Sequence, residues 1–90
     1  MKYAFRWREH AVRQLRAIPQ PAALTILRAL AALGDDPRRP DTNVKKLAGY
    51  EDRYRLRVGD YRVIYEIMDE QLVILVLGVG HRREIYRAVP

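Results

Sequence analysis

The feature that most constrains the fold of this chain is a pair of alternating segments that meet at Gly59-Asp60. Residues 53–58 and 61–68 both place an apolar side chain at every second position, which is the period of a β-strand. A Gly-Asp dipeptide between two such segments is typical of a two-residue hairpin loop. We therefore predict an antiparallel hairpin in which Arg57 lies directly opposite Arg62.

This register gives the hairpin an apolar face and a basic face, because directly opposed residues share one face of a sheet. The other opposed pairs would be Val58 with Tyr61, Leu56 with Val63, Arg55 with Ile64, and Arg53 with Glu66. The apolar face, which we expect to lie against helices, consists of Tyr54, Leu56, Val58, Tyr61, Val63, Tyr65 and Ile67. The basic face consists of Arg53, Arg55, Arg57 and Arg62.

The predicted Arg57–Arg62 pair is unusual for a structural sheet. Like charges directly opposite one another destabilise a sheet, by roughly 0.2–1 kcal/mol on the scale of such pairs. A bound phosphate would convert this repulsion into paired, charge-assisted hydrogen bonds. The alternative is a solvated face whose arginines separate in water, and the hairpin alone leaves both interpretations open.

The first part of the chain predicts a strand followed by two helices. Residues 3–7 alternate and put three aromatic side chains on one face, and residues 9–18 and 21–34 carry apolar side chains at helical spacing. Pro19 ends the first helix, and Pro21 suits the first turn of the second. So short a break between two helices predicts a helical hairpin.

The remaining segments complete an α+β fold. Residues 35–50 contain two prolines and no sustained period, so we expect a connection there. Asp69-Glu70 predicts a second tight turn, residues 72–79 predict a strand covered on both faces, and His81 begins a short C-terminal tail. The expected architecture is one small domain over residues 1–90, in the order β-αα-βββ. Its sheet would be antiparallel, with the helical hairpin packed on one face.

Composition excludes several classes of protein. The chain contains no cysteine, which rules out a disulfide framework and a zinc–thiolate site. Residues 1–6 lack the apolar run of a signal peptide, and the longest apolar run, residues 72–79, is far shorter than the ~20 residues that span a bilayer. His10 and His81 lie in different predicted elements and the acids are scattered, so we expect no metal and no other cofactor. These features predict a cytoplasmic protein.

The formal charge of +6 indicates an anionic partner. Arginine supplies 14 of the 17 basic residues, and its planar fork of donors suits phosphate better than lysine does. Residues 51–90 contain seven arginines and seven acids, so the whole net charge comes from residues 1–50. An arginine-rich codon usage would explain the overall excess equally well. Only the positions of the arginines in the fold can distinguish an anionic partner from codon usage.

Two segments of the chain resemble the RelE/ParE superfamily of toxins. They are YRLRVGDYRVIYEI at residues 54–67 and VLGVGHRREIYR at residues 76–87, with Lys46-Leu47-Ala48-Gly49 similar to the loop before them. The resemblance covers nearly the whole chain in order, and the arginines and the tail tyrosine are typical of the RelE branch. It implies a toxin of a type II toxin–antitoxin system, an endoribonuclease that cuts messenger RNA, commonly in the ribosomal A site. A cognate antitoxin protein would silence it.

The resemblance also implies roles for individual residues. Arg62 matches the arginine that binds the scissile phosphate, Arg82 matches the arginine that assists the leaving oxygen, and Tyr86 matches the tyrosine that stacks on the substrate. Arg55 and Arg57 stand where well-known members carry lysines. Because arginine is a poor proton acceptor, these two residues would serve electrostatics, or the general base would lie elsewhere.

His81 is the candidate acid or base, since its ordinary pKa lies near neutrality, and Tyr86 is the second candidate. A loop histidine that caps a strand end and a core aromatic are the structural alternatives for these two residues. The expected RNA contacts outside the catalytic set are Arg53, Arg83, Lys45 and Lys46. The strand register cannot say whether Arg82 or Arg83 points into the site, because Gly78 and Gly80 break it, and the resemblance selects Arg82.

The expected reaction uses the substrate's own 2′-hydroxyl as nucleophile, with arginines stabilising the charge that grows on the phosphate. Two other functions fit the same residues. One is a ParE-like toxin that acts by binding a protein such as gyrase, without catalysis. The other is a non-catalytic module that binds single-stranded RNA through its basic face and through stacking of bases on its tyrosines.

Overall fold

The computed structural model describes residues 2–85, which form a five-stranded sheet and two α-helices. The elements in chain order are β1 (Ala4–Trp7), α1 (Glu9–Arg16), α2 (Gln20–Leu33), β2 (Val44–Lys46), β3 (Arg53–Val58), β4 (Tyr61–Met68), a 3-10 turn (Asp69–Gln71) and β5 (Val73–His81). The strands lie in the order β1-β5-β4-β3-β2. The predicted α+β class and the helix pair on one face of the sheet are confirmed.

The β3–β4 hairpin has the predicted register. Arg57 lies opposite Arg62, the four other predicted pairs from Val58–Tyr61 to Arg53–Glu66 are present, and Tyr54 lies opposite Tyr65. Gly59 takes φ +58°, the left-handed conformation that the two-residue loop requires and that glycine adopts without strain. The loop therefore fixes which side chains share each face.

The predicted antiparallel sheet is wrong at one edge. β1 pairs with β5 in parallel, with Ala4 opposite Val73 and Trp7 opposite Val76, so the sheet is mixed. An alternating pattern tells which face a residue occupies, but it does not tell which neighbour a strand selects or in which direction. The pattern therefore could not predict the parallel pairing of β1 with β5.

The predicted connection at residues 35–50 contains a short edge strand. β2 pairs antiparallel with β3 and places Lys45 opposite Arg55. A turn leads into it, because Asp41 Oδ1 accepts a hydrogen bond from the Asn43 backbone N–H at 2.8 Å and the Asp41 carbonyl accepts one from Val44 N–H at 3.1 Å. Three residues are too few to give a periodic signal, so the sequence pattern did not reveal β2.

The helices cover the apolar face of the hairpin, as predicted. The buried core consists of Tyr3, Ala11, Ile26, Leu30, Leu33, Leu56, Val63, Tyr65, Ile67, Ile74, Val76 and Val79. Tyr54 stacks on Tyr65 with ring centroids 5.8 Å apart, and burial raises the pKa of the Tyr65 phenol. None of the helices within residues 2–85 has the length and hydropathy needed to span a membrane.

A smaller apolar cluster lies on the opposite face of the sheet. Ile64, Leu77 and Ile85 are buried there, with Leu47 and Leu75 packed against them. Strand β5 is therefore covered on both faces, as its continuous apolar sequence predicts. This second cluster shares its face with the arginines of the hairpin.

Arg38 joins three loops at the end of the sheet where β3 begins and β4 ends. Its guanidinium donates to Asp69 Oδ1 at 2.7 Å and to Asp52 Oδ1 at 2.9 Å, and the Tyr3 hydroxyl also donates to Asp69 Oδ1 at 2.7 Å. The hydrogen bond from Arg38, aided by the one from Tyr3, lowers the pKa of Asp69. This network holds the turn after β4 against the start of the chain.

Candidate functional site

The basic face of the hairpin extends across three strands. Because Lys45 pairs with Arg55 on the neighbouring strand, its side chain shares the face of the arginines. Lys46 pairs with Tyr54, a residue of the apolar face, so it lies on the helix side. The structure therefore separates the two lysines that were predicted to contact RNA together.

Arg57 is oriented by a neutral acceptor. Its Nε and Nη2 donate to Asn43 Oδ1 at 3.2 and 3.0 Å, and its backbone N–H donates to the Asn43 carbonyl at 2.8 Å. The side chain is exposed to solvent. An amide oxygen accepts these hydrogen bonds without carrying a charge, so the positive charge of Arg57 is not neutralised by them.

Arg62 folds over the hairpin loop. Its Nη1 donates to the carbonyl oxygens of Gly59 and Tyr61, both at 2.9 Å. Across the sheet on the other side of β4 stands Gly80, which has no side chain to cover the guanidinium. The loop that sets the register thus also holds the side chain of Arg62.

Arg55 has a buried donor for which the described part of the chain provides no acceptor. Among residues 2–85, its Nε is buried and meets no hydrogen-bond partner. A buried polar group in this condition destabilises a fold by about 1–3 kcal/mol and more when it is charged.

Arg53 differs from the other arginines of the basic face. Its Nε and Nη2 donate to Glu66 Oε2 at 3.2 and 3.1 Å, and its guanidinium lies 4.1 Å from the centroid of the Tyr50 ring. The guanidinium of Arg53 is therefore already bound by a carboxylate and stacked on an aromatic ring. Arg53 therefore lies on the predicted face but at its neutralised end.

The chain turns sharply after β5. Arg82 N–H donates to the Asp60 carbonyl at 2.8 Å, and its Nε lies 4.0 Å from Asp60 Oδ1 in an exposed and therefore weak ion pair. Glu84 N–H donates to the His81 carbonyl at 2.9 Å. These bonds place Arg82 beside the hairpin loop, near Arg62, while the Arg83 side chain is exposed in the same turn.

His81 lies on the helix side of the sheet. It stands opposite Tyr61, and their rings meet edge to face at 6.2 Å between centroids. With Tyr61 and Gln14 it lines a cleft of about 270 Å³ at the end of the sheet. His81 Nδ1 accepts a hydrogen bond from Arg83 N–H at 3.3 Å, so neutral His81 carries its proton on Nε2. The structure does not bring this imidazole together with the Arg57–Arg62 pair.

Tyr86, the predicted substrate-stacking residue, lies outside the described residues. Ile85, directly before it, is completely buried and packs on the same face as Arg62. Ile85 lies directly against Gly80, where a Cβ would come within ordinary contact distance, 3.4 Å, of Ile85 Cδ1. The described part of the tail therefore folds back onto the basic face.

Two residues of this site were not predicted from the sequence. Asn43 was not identified as a site residue because β2 was not predicted, although the run Asp41-Thr42-Asn43 is typical of a turn. Ile85 was expected on the sheet only in the structural alternative for Tyr86, as its packing neighbour, and no role at the site was assigned to it. Within residues 2–85 there is no group of three or more His, Cys, Asp or Glu side chains placed to hold a metal ion.

Comparison with known proteins gives a consistent family match. The model of the family described as the ParE toxin of type II toxin–antitoxin systems, parDE, matches residues 5–86. The chain is 33% identical over 89 residues to the toxin RelG of Mycobacterium tuberculosis, which covers 97% of this chain and 99% of that protein. It is 30% identical over 90 residues to the mRNA interferase toxin RelE of Escherichia coli, covering 96% and 92%.

The fold is also shared with solved structures. A RelE–RelB complex from Pyrococcus horikoshii contains a chain that superposes with a TM-score of 0.78 at 33% sequence identity. The match covers 91% of this chain and 97% of that one. Sequence and structure therefore point to the same group of proteins.

Proposed function

The chain belongs to the RelE/ParE family of type II toxin–antitoxin toxins, and from this premise we propose that it is an endoribonuclease that cleaves messenger RNA. The observation that carries the proposal is the Arg57–Arg62 pair, two directly opposed guanidinium groups. Arg57 is held by the amide oxygen of Asn43, an acceptor that leaves its positive charge in place, and the Arg62 guanidinium is held over the hairpin loop by the Gly59 and Tyr61 carbonyls. A relative of similar length is named an mRNA interferase, which supports the same activity.

The reaction we propose is transesterification by the RNA itself. The 2′-hydroxyl attacks the adjacent phosphorus in line, a P–O bond forms, and the bond to the 5′-oxygen of the next nucleotide breaks. Arg57 and Arg62 bind the equatorial oxygens, whose charge grows in the transition state, and Arg55 adds a positive charge on the same face. Arg82, beside the hairpin loop, assists the departing oxygen, and Tyr86 stacks on a base and orients the substrate.

The reaction leaves a 2′,3′-cyclic phosphate and a free 5′-hydroxyl, so one group must take the proton of the 2′-hydroxyl and one must give a proton to the departing 5′-oxygen. Proton transfer falls to His81 or Tyr86 in this proposal. The hydrogen bond from Arg83 to His81 Nδ1 leaves Nε2 as the protonated nitrogen, which suits donation of a hydrogen bond better than removal of a proton. Because His81 lies on the helix side, it would act only at the end of β5, on an RNA strand that passes around the strand end.

We propose two kinds of partner for the chain. One is messenger RNA, bound in the ribosomal A site, with Lys45 and Arg83 as contacts outside the reacting phosphate. Of the other two expected contacts, Lys46 lies on the helix side and Arg53 is already paired with Glu66. The other partner is a cognate antitoxin, since the structural relative from Pyrococcus horikoshii forms a RelE–RelB complex. An acidic amphipathic helix laid across the domain would complement its basic surface.

Purified protein and RNA would test this proposal. The wild-type chain should cut RNA, and because no step depends on a metal, excess EDTA should leave the rate unchanged. Arg62→Ala, Arg82→Ala and Tyr86→Phe should each lower the rate by roughly 100-fold or more, as expected when a transition-state contact is removed. Arg13→Ala is the matched control, because it removes an equal charge from the exposed side of α1, where Arg13 pairs with Glu9.

A second function is favoured by the family model, whose description names ParE toxins. Under this alternative the chain acts by binding a protein such as gyrase and cuts no RNA. Equal toxicity of the wild-type chain and the Arg62, Arg82 and Tyr86 variants would support it. Salt-sensitive RNA binding without any cut product would instead support a non-catalytic RNA-binding module.

A further inference from the structure

We propose that Asn43 is a positioning residue that holds the Arg57 guanidinium toward the phosphate while leaving its charge intact. This inference rests on the proposed nuclease function and adds a residue to its site. Asn43 would not touch the substrate. It would act through Arg57, by fixing the direction in which the remaining N–H groups of that side chain point.

The contacts between the two residues are more extensive than a single surface hydrogen bond. Both Nε and Nη2 of Arg57 donate to Asn43 Oδ1, and the two backbones are joined as well, by Arg57 N–H to the Asn43 carbonyl. Binding through Nε and Nη2 fixes one edge of the planar guanidinium. The Nη1 group is not used in these bonds, and its N–H groups are available to an anion.

Asn43 is itself held in place. Its backbone N–H donates to Asp41 Oδ1 at 2.8 Å, and the turn that contains both residues leads directly into β2. Asn43 is half-buried, whereas Arg57 is exposed. A long exposed side chain normally samples many rotamers, so an anchored acceptor reduces the ordering that phosphate binding would require.

The chemical type of the acceptor is the central point. In the same hairpin, Arg53 donates through the same two nitrogens to a carboxylate, Glu66 Oε2, and its charge is neutralised. Arg57 makes the same pair of bonds to an amide oxygen instead. The amide gives the orientation without the neutralising charge, which is the combination that a phosphate-binding arginine needs.

Asn43→Asp separates this role from a purely structural one. Aspartate has nearly the same shape, suits the turn as well as asparagine, and would bind Arg57 more strongly. We expect the thermal midpoint of the variant to stay the same or rise, while kcat for RNA cleavage falls by about tenfold or more. If Asn43 served only the turn, Asn43→Asp would cleave RNA like the wild type, and that result would overturn the proposal.

Two further variants complete the test. Thr42→Asp adds the same charge at the exposed neighbouring position and should change cleavage by less than about threefold, which controls for general repulsion of RNA. In an Arg57→Ala background, Asn43→Asp should have no further effect, because the residue it acts through is gone. An equal loss in both backgrounds would contradict the proposal. A wild-type chain that cuts no RNA would refute the proposed function itself, so the two failures are distinct.

Discussion

The arginines of the basic face differ in what each guanidinium contacts, and the sequence could show only part of these differences. The alternation of 53–58 places Arg53 and Arg57 on one face, and the structure agrees. Their acceptors, however, come from Glu66 across the hairpin and from Asn43 in a loop. The first could be predicted from the hairpin register, but the second depends on how residues 41–43 turn. Side-chain partners that arrive from loops have no period to predict them.

At the residue scale, the Asp69 carboxylate predicts a pH dependence of stability. Hydrogen bonds from Arg38 and Tyr3 lower its pKa in the folded chain, so the ionised form is favoured on folding. This stabilisation is fully present above the ordinary pKa of an aspartate, near 4, and is lost as the pH falls through the lowered folded value. The stability difference between the wild type and Asp69→Asn should therefore shrink as the pH falls below about 4.

Urea unfolding of both proteins across a pH series would measure this difference. The Glu70→Gln variant is a suitable control, because Glu70 is an exposed neighbour in the same 3-10 turn. A difference between the wild type and Asp69→Asn that stays constant from neutral to acidic pH would show that the Arg38–Asp69 contact contributes nothing to folding.

At the scale of elements, the sequence predicted those segments whose pattern repeats over several residues. The β3–β4 hairpin has twelve paired positions and a specific loop, and its register was predicted correctly. β2 has only three residues, and the parallel pairing of β1 with β5 depends on contacts between the ends of the chain. Such long-range pairing leaves no local signal. The same reason explains why the packing of the tail turn on the sheet was not predicted.

The packing of the turn after β5 on the sheet should contribute to the free energy of unfolding. Ile85 is completely buried in a cluster with Ile64 and Leu77. Ile85→Ala should lower the free energy of unfolding by about 2–5 kcal/mol, and Ile85→Val by about 0.5–1.5 kcal/mol. RNA cleavage should fall with the alanine variant even where it remains folded, because Ile85 directly precedes Tyr86.

Thermal or denaturant unfolding would test the ranking of these variants. Leu72→Ala is the matched control, since Leu72 is 44% exposed and its truncation should cost much less than that of Ile85. Equal effects of the Leu72 and Ile85 variants would mean that the tail does not pack on the sheet in solution.

At the scale of the whole molecule, charge is separated along the hairpin. Glu51, Asp52, Glu66, Asp69 and Glu70 line a groove of about 550 Å³ where β3 begins and β4 ends. Arg57, Arg62 and Arg82 lie at the opposite end, around the Gly59-Asp60 loop. A polyanion is repelled from the first end and attracted to the second. The net charge of the chain indicated an anionic partner, but only the fold indicates which end of the sheet would meet it.

Mapping RNA ends in cells would show whether this arrangement of arginines cuts messenger RNA. The chain would be expressed from an inducible promoter in bacteria, and the 5′ ends of an abundant message would be mapped by primer extension. We expect new ends inside translated codons, in frame, within minutes of induction, and none with Arg62→Ala expressed to the same level. Growth arrest by the wild-type chain with the message left intact would contradict the proposed cleavage of messenger RNA.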